Sequence, residues 1–361
     1  MPATRPQLVN VSVLTLTLIM VDIRVSNAAP KVSVLTITYN HEKFIAQAIE
    51  SVLMQQTDFP FELVIGEDCS TDGTREIVRE YSQKYPGIIR AYLREHNLGS
   101  HENSHQVFLA SKGKYIAVLE GDDYWTSSRK LQIQADLLDA HPETVLCGHR
   151  VVWHYEGGSR ADTVLPADPE GVYDLERFFK KTFLAAGSVM FRRSDYRVPE
   201  WHRGLLMGDI PLFAELGRHG KFYLLNDTMG TYRIHGGGIW SGLDDLNQAK
   251  QIRTLYRAFY EHLDPKYRPA IVRRLFWCSY DVGVASSTAG MPDEVRVCLR
   301  ECLRYSGPLK HLPEKFWLAF KGYCWWTFPV LRRLRRFAEP AGSSSRRWER
   351  VIGNLASKNR R

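Results

Sequence analysis

From Lys31 onward the chain alternates between a strand period and a helix period, and this rhythm constrains the fold more than any other feature. "VSVLTITY" is a continuous β-branched run of the kind buried on both faces of a sheet. Phe44, Ile45, Ala48, Ile49, Val52 and Leu53 then form one helical stripe, with Asn40 placed to cap it. "FELVIG" from Phe61 predicts a second strand, and Asp72 opens a second helix carrying Ile77, Val78 and Tyr81. "IIRAYL" from Ile88 predicts a third strand, a helix follows over 103–111, and "KYIAVL" from Lys114 predicts a fourth. Such spacing predicts an α/β fold whose mainly parallel central sheet is flanked by helices. Ligands of such sheets bind beyond the carboxyl ends of the strands. Three groups follow strands directly and so belong on one edge: Thr38, Tyr39 and Asn40; Glu67 and Asp68; Glu120, Asp122 and Asp123.

Past a strand in "VLCGHRVVWHYEGG" the alternation weakens through a loop rich in Asp and Pro. "GSVMFRRS" predicts another strand, "GDIPLFAELGRHGKFYLLND" a short helix and then a strand, and "YRIHGGGIWSG" a glycine-rich loop. Beyond Asp245 the pattern is helical throughout. At the other end, the apolar run Val11–Val21 is too short to span a bilayer and is diluted by Ser12, Thr15 and Thr17. Residues 1–30 are expected to be an extension outside the fold, and initiation at Met20 is one reading of them.

Charge is unevenly distributed. Fourteen Lys and Arg residues face three acids from Arg304 onward, and with a formal charge of +8 overall the preceding chain is mildly acidic. The C-terminal segment combines Trp317, Trp325 and Trp326 with Arg332, Arg333, Arg335 and Arg336. Two readings stand: a helix lying on an anionic membrane face, or a helical cap packed on the rest of the protein. No nucleic-acid-binding motif accompanies the bases, so a nucleic-acid partner is not expected. The six cysteines show no C-x-x-C and no disulfide-scaffold density, which suits reduced, buried thiols and a cytoplasmic protein, peripheral on the membrane's cytoplasmic face under the first of those readings.

Glu120, Asp122 and Asp123 crowd three carboxylates at a strand's end. Like charges a few ångströms apart resist joint ionisation, so a hard divalent cation, Mg²⁺ or Mn²⁺, is the simplest neutraliser. Acid–base chemistry, hydrogen bonds to sugar hydroxyls, or plain capping of the following helix are the other uses of such residues.

"VSVLTITYNHEKFIAQAIESVLMQQ", "VIGEDCSTDGTREIV" and "GKYIAVLEGDDYW", in that order and spacing, resemble the family 2 glycosyltransferases, which have the GT-A fold. The resemblance covers residues 31–242 and makes that stretch a nucleotide-sugar-binding catalytic domain, with 243–361 a helical, basic C-terminal region. It implies that Thr38, Tyr39 and Asn40 pack around the nucleotide base, with Asp68 and the neighbouring Glu67 bonding a pyrimidine. It places Glu120 and Asp122 at the family's D-x-D element, with Asp122 on the cation that bridges the donor's phosphates and Asp123 beside it. Glu120 departs from the common Asp. Asp209 in "MGDIPLF" takes the place of the base, with helix capping as its ordinary alternative, and one carboxylate without a second nucleophile implies inversion. His235 is implied as a further cation ligand, and Arg233 or the glycine amides as supports for the diphosphate. Trp125 and Trp240 are open between stacking on a sugar and core packing.

The expected activity is metal-assisted transfer of a sugar from a UDP- or dTDP-linked donor to a hydroxyl of a glycan or lipid-linked acceptor, in building a bacterial surface polysaccharide. A catalytically inactive nucleotide-sugar-binding scaffold docked at a membrane is the alternative from another class. A nucleotidyltransferase would need a basic glycine-rich loop after the first strand, which "TITYNHEKF" lacks.

Overall fold

A computed structural model describes residues 29–306 apart from Ser159, Lys181, Thr182, Tyr196 and Arg197. The N-terminal run, Cys324 and the C-terminal aromatic and basic segment lie outside the described residues.

The first half follows the expected alternation: β1 (Val32–Thr38), α1 (Ile45–Leu53), β2 (Phe61–Glu67), α2 (Thr74–Lys84), β3 (Ile89–Leu93), α3 (Ser100–Ala110) and β4 (Tyr115–Val118). A two-residue β5 (Tyr124–Trp125) and α4 (Lys130–Ala140) lead to β6 (Thr144–Tyr155). Short strands β7 (Thr163–Leu165), β8 (Gly171–Tyr173) and β9 (Met190–Arg192) surround α5 (Leu175–Lys180). Then come α6 (Asp209–Leu216), β10 (Lys221–Ile234), α7 (Asp245–His262), α8 (Arg268–Thr288) and α9 (Pro292–Ser306).

The sheet runs β3-β2-β1-β4-β9-β6-β10-β5, with β7 and β8 added beside β6 and β10. β1 to β4 pair in parallel, β9 inserts antiparallel between β4 and β6, and β10 lies parallel to β6. Register sets the active edge: Thr38 pairs with Glu67, so the loops after β1 and β2 leave the sheet level with each other.

Strand alternation divides the core between the two faces. Val32 and Val34 join Ile45, Ile49 and Val52 of α1 on one face, while Leu35 joins the opposite cluster. That second cluster runs from Phe108 through Phe178, Phe213 and Phe222 to Leu255, Phe259, Ile271 and Leu275. The change of pattern at 242 therefore crosses a common core: α7 and α8 pack on the sheet's face. Gly66 is small for a packing reason, since a Cβ there would come within 2.3 Å of Asn103 Oδ1, whose amide donates to Gly66 O at 2.8 Å.

Two local expectations are corrected. Asn40 does not cap α1, which starts four residues later than a cap there requires; it takes a left-handed φ of 56° instead. Its Oδ1 accepts from Thr71 N–H at 2.8 Å, so a tertiary contact outcompetes the local cap. The strand expected in "KFYLLND" continues for 14 residues to Ile234, because β6 offers it a parallel partner along most of that length. The five described cysteines are free thiols, four of them buried. No helix among the described residues is long and apolar enough to cross a membrane.

Candidate active site

The loops at the carboxyl ends of β1, β2 and β3 are tied into one wall. Asp72 holds the start of α2 through Thr74 N–H (3.0 Å) and reaches across to Glu42 N–H (3.1 Å). Asp68 accepts from the amides of Leu98 (2.8 Å) and Gly99 (2.9 Å) in the loop after β3. Non-glycine residues rarely adopt positive φ, and both that do so among the described residues, Asn40 and Cys69 (φ 62°), stand on this wall.

Beside the wall opens a cavity of about 670 Å³. Thr38, Tyr39, Asp68, Glu120, Asp122, Asp209 and Arg233 all line it. Asn40, Glu67, Asp123 and His235 do not. Glu67 is fully buried, accepts from Ser70 N–H at 2.6 Å and pairs with Arg75 at 2.9 Å, so its carboxylate braces the loop from within and is turned away from the ligand space. Asn40 likewise braces Thr71.

At the floor, Gly121 passes so close to β1 that a Cβ would meet Thr38 Oγ1 at 2.6 Å and His41 Nδ1 at 3.0 Å. This close approach sets out the flanking acids. One carboxylate oxygen from each of Glu120, Asp122 and Asp123 lies within 4.8 Å of the others. Their electrostatics differ. Burial, followed by the charges of Asp122 and Asp209, pushes the Glu120 carboxyl up to about 8. Asp123 is also raised, first by burial and then by Asp122 and Glu120, although Arg233 N–H donates to it at 2.8 Å. For Asp122 burial pulls upward, but a hydrogen bond from His235 and the charges of His41 and His235 outweigh it and hold the carboxyl below its ordinary value. Two of the three carboxyls thus resist ionisation, and oxygen ligands at this separation fit a hard divalent cation.

His235 Nε2 lies 3.1 Å from Asp122 Oδ2, and Gly237 N–H faces its Nδ1 at 3.3 Å, which puts the proton on Nε2. Ligating a metal through Nε2 requires the other tautomer, with the proton moved to Nδ1 and the Gly237 N–H contact given up. Arg233 is already committed: it donates to Asp122 O at 2.6 Å, bonds Gln47, pairs with Glu156 at 3.1 Å and is sandwiched between Phe44 and Tyr124. Its guanidinium fixes the acidic loop. Trp125 is core, 2% exposed and donating to Gly187 O at 2.8 Å, whereas Trp240 lines the cavity.

Asp209 is the first residue of α6, and its Oδ1 accepts from the adjacent Ile210 N–H at 2.8 Å. Its carboxyl is raised by burial, with that N–H and the charge of His101 pulling the other way. The sequence reading missed His41, whose Nδ1 meets Thr38 Oγ1 at 3.2 Å and whose Nε2 is 3.8 Å from Asp122. It also missed Asn97–His101. The rule that every loop after a parallel strand reaches the ligand edge would have found both.

Comparison with known proteins agrees with this geometry. The family model described as Glycosyl transferase family 2 matches residues 33–198. Rv1520 of Mycobacterium tuberculosis (strain ATCC 25618 / H37Rv) is 36% identical over 208 residues, 58% of this chain and 60% of that relative's length. The putative glycosyltransferase EpsE of Bacillus subtilis (strain 168) is 32% identical over 209 residues, 56% of this chain and 73% of EpsE. Among solved structures, residues 1–349 of S. aureus TarS in complex with UDP-GlcNAc superimpose with a TM-score of 0.60 at 17% identity, covering 86% of this chain and 93% of that one. At that identity the likeness speaks to the fold, which is GT-A.

Proposed function

The chain belongs to glycosyl transferase family 2, and on that footing we propose that it is an inverting enzyme that moves a sugar from a UDP- or dTDP-linked donor to a hydroxyl of a glycan or lipid-linked acceptor. The observation that carries the reading is the meeting of Asp68, Glu120, Asp122 and Asp209 in one cavity, although they are far apart in sequence. Tyr39 and Asp68 face the nucleotide. Glu120, Asp122 and Asp123 would hold Mg²⁺ or Mn²⁺, joined by His235 in the tautomer protonated at Nδ1. When bound, the cation neutralises the donor's diphosphate and eases its departure.

Asp209 acts as general base. Its carboxylate accepts the acceptor hydroxyl's proton as the oxygen forms a bond to the anomeric carbon, and the bond from that carbon to the diphosphate oxygen breaks with its electron pair leaving on the nucleoside diphosphate. A carboxyl raised by burial holds that proton better than an exposed one, which favours this transfer. No second carboxylate serves as nucleophile, so the sugar's configuration inverts. Production of a bacterial surface polysaccharide fits such a transfer. The reading is tested by incubating the protein with UDP- and dTDP-sugars and Mn²⁺ and following nucleotide release. Asp209→Asn is expected to bind donor and fail to turn it over; normal turnover by that variant would overturn the mechanism.

A further inference from the structure

The cavity that holds Asp209 is also lined by Leu165, Phe183, Leu206, Met207, Phe213 and Tyr256, to which the roles assigned above give no part. Two imidazoles stand in its wall. His101, in the first turn of α3, is a neighbour of the base: a Cβ at Gly208 would lie 3.5 Å from His101 Cε1, and the charge of His101 acts on Asp209. His202, in the short turn Glu200–Gly204, is only 3% exposed, and its ring lies with its centroid 4.1 Å from that of Trp201.

The Nε2 atoms of both rings are buried without a hydrogen-bond partner among the described residues, and both rings line the cavity. Buried polar atoms are almost always satisfied, so two unsatisfied ring nitrogens on one cavity wall mark where a ligand supplies the missing bonds. Asp209 lines the same cavity as both rings and follows Gly208, whose Cβ position lies against His101, so a hydroxyl brought to Asp209 enters the space that these rings line.

We infer that His101 and His202 bind the acceptor, hydrogen-bonding hydroxyls of an uncharged sugar or polyol unit that neighbour the attacking hydroxyl. This rests on Asp209 being the base. Burial, followed by His101 and His262, drives His202 down to about 4, so its ring is neutral at physiological pH and suits a hydroxyl better than an anion. The carboxylate that Asp209 must present as base also disfavours a negative group at this point. Arg274 lines the same cavity but stands over the Tyr256 ring, 5.9 Å from its centroid, on α8.

The test is long-range ¹H–¹⁵N spectroscopy of the histidine rings in the full chain, titrated with methyl glycosides and ribitol and, separately, with their phosphate esters. At least one neutral compound is expected to shift the Nε2 signals of both His101 and His202; no shift with any, or shifts with the phosphate esters alone, would overturn the inference. In transfer assays His202→Phe, which keeps the ring's bulk and removes its nitrogens, is expected to raise the acceptor KM at least tenfold without moving the donor KM. His202→Gln, which restores a polar group at the same reach, recovers part of that loss. An equal change in both KM values would mark His202 as merely structural. Failure of the underlying mechanism looks different: Asp209→Asn would turn over normally while the imidazole signals still responded.

Discussion

The acidic rim and the underside of the same sheet both bury ionisable groups, and they do so on opposite terms. At the rim, Glu120, Asp122 and Asp123 crowd together, but Glu120 and Asp122 border a cavity, and His41, His235 and the Arg233 N–H stand ready with compensating contacts. Beneath, Lys130 is fully buried, its Nζ has no hydrogen-bond partner among the described residues and lies 3.8 Å over the Trp125 ring. Burial lowers the Lys130 amine to about 7, and burial together with Lys130 lowers the neighbouring His149 to about 3. A ligand relieves the first region; nothing from outside reaches the second. Uncompensated charge therefore signals chemistry only where it borders accessible space.

Substitutions that break this contrast range from large to small. Asp122→Ala is expected to cut transfer by about a thousandfold or more and to abolish the Mn²⁺ dependence of UDP binding in calorimetry. Asp209→Asn is expected to lower kcat by roughly 10²–10⁴ while leaving the donor Kd within about threefold, the signature of a lost general base. Glu120→Gln replaces a carboxyl that burial and its neighbours keep from ionising with a neutral isostere: the metal-free protein is expected to gain roughly 1–3 kcal/mol in denaturant unfolding at pH 7, and added Mn²⁺ then stabilises it less than wild type.

Lys130→Met probes the sealed side. A near-isosteric apolar side chain is expected to stabilise the protein by about 1–3 kcal/mol at pH 7 with kcat unchanged. The pH dependence carries a definite sign. Between the folded value of about 7 and the ordinary 10.5, the unfolded chain holds a proton on Lys130 that the folded one does not, so wild-type stability rises with pH in that window. The advantage of Lys130→Met over wild type should accordingly be largest near pH 7 and shrink toward pH 10. An advantage independent of pH would mean that Lys130 is not desolvated as the structure has it.

Legibility from sequence follows how each residue is held. That Asp68, Glu120 and Asp122 share one edge was readable because a parallel sheet delivers whatever follows its strands there, and that rule needs only the strand pattern; Asp209, which follows no strand directly, was picked out by the family resemblance alone. The partners of Asn40 and Glu67 were not readable. Both have the right chemistry at the right edge, yet Thr71 takes one and Ser70 with Arg75 takes the other, and such pairings leave no periodic trace. The commitments of Arg233 were hidden for the same reason: Gln47 and Glu156, which hold it, lie 186 and 77 positions away. The sharing of one core by α7, α8 and the sheet was hidden because a helical stripe does not announce which face it will meet.

The fastening of three successive loops has a consequence for substitution. Asn40 to Thr71, Asp72 to Glu42 and Asp68 to Leu98 and Gly99 make this wall of the cavity a truss, in which a shift at any joint disturbs the others. Side chains that merely project from the truss, Tyr39 foremost, can be exchanged singly, while the joints have to change in concert.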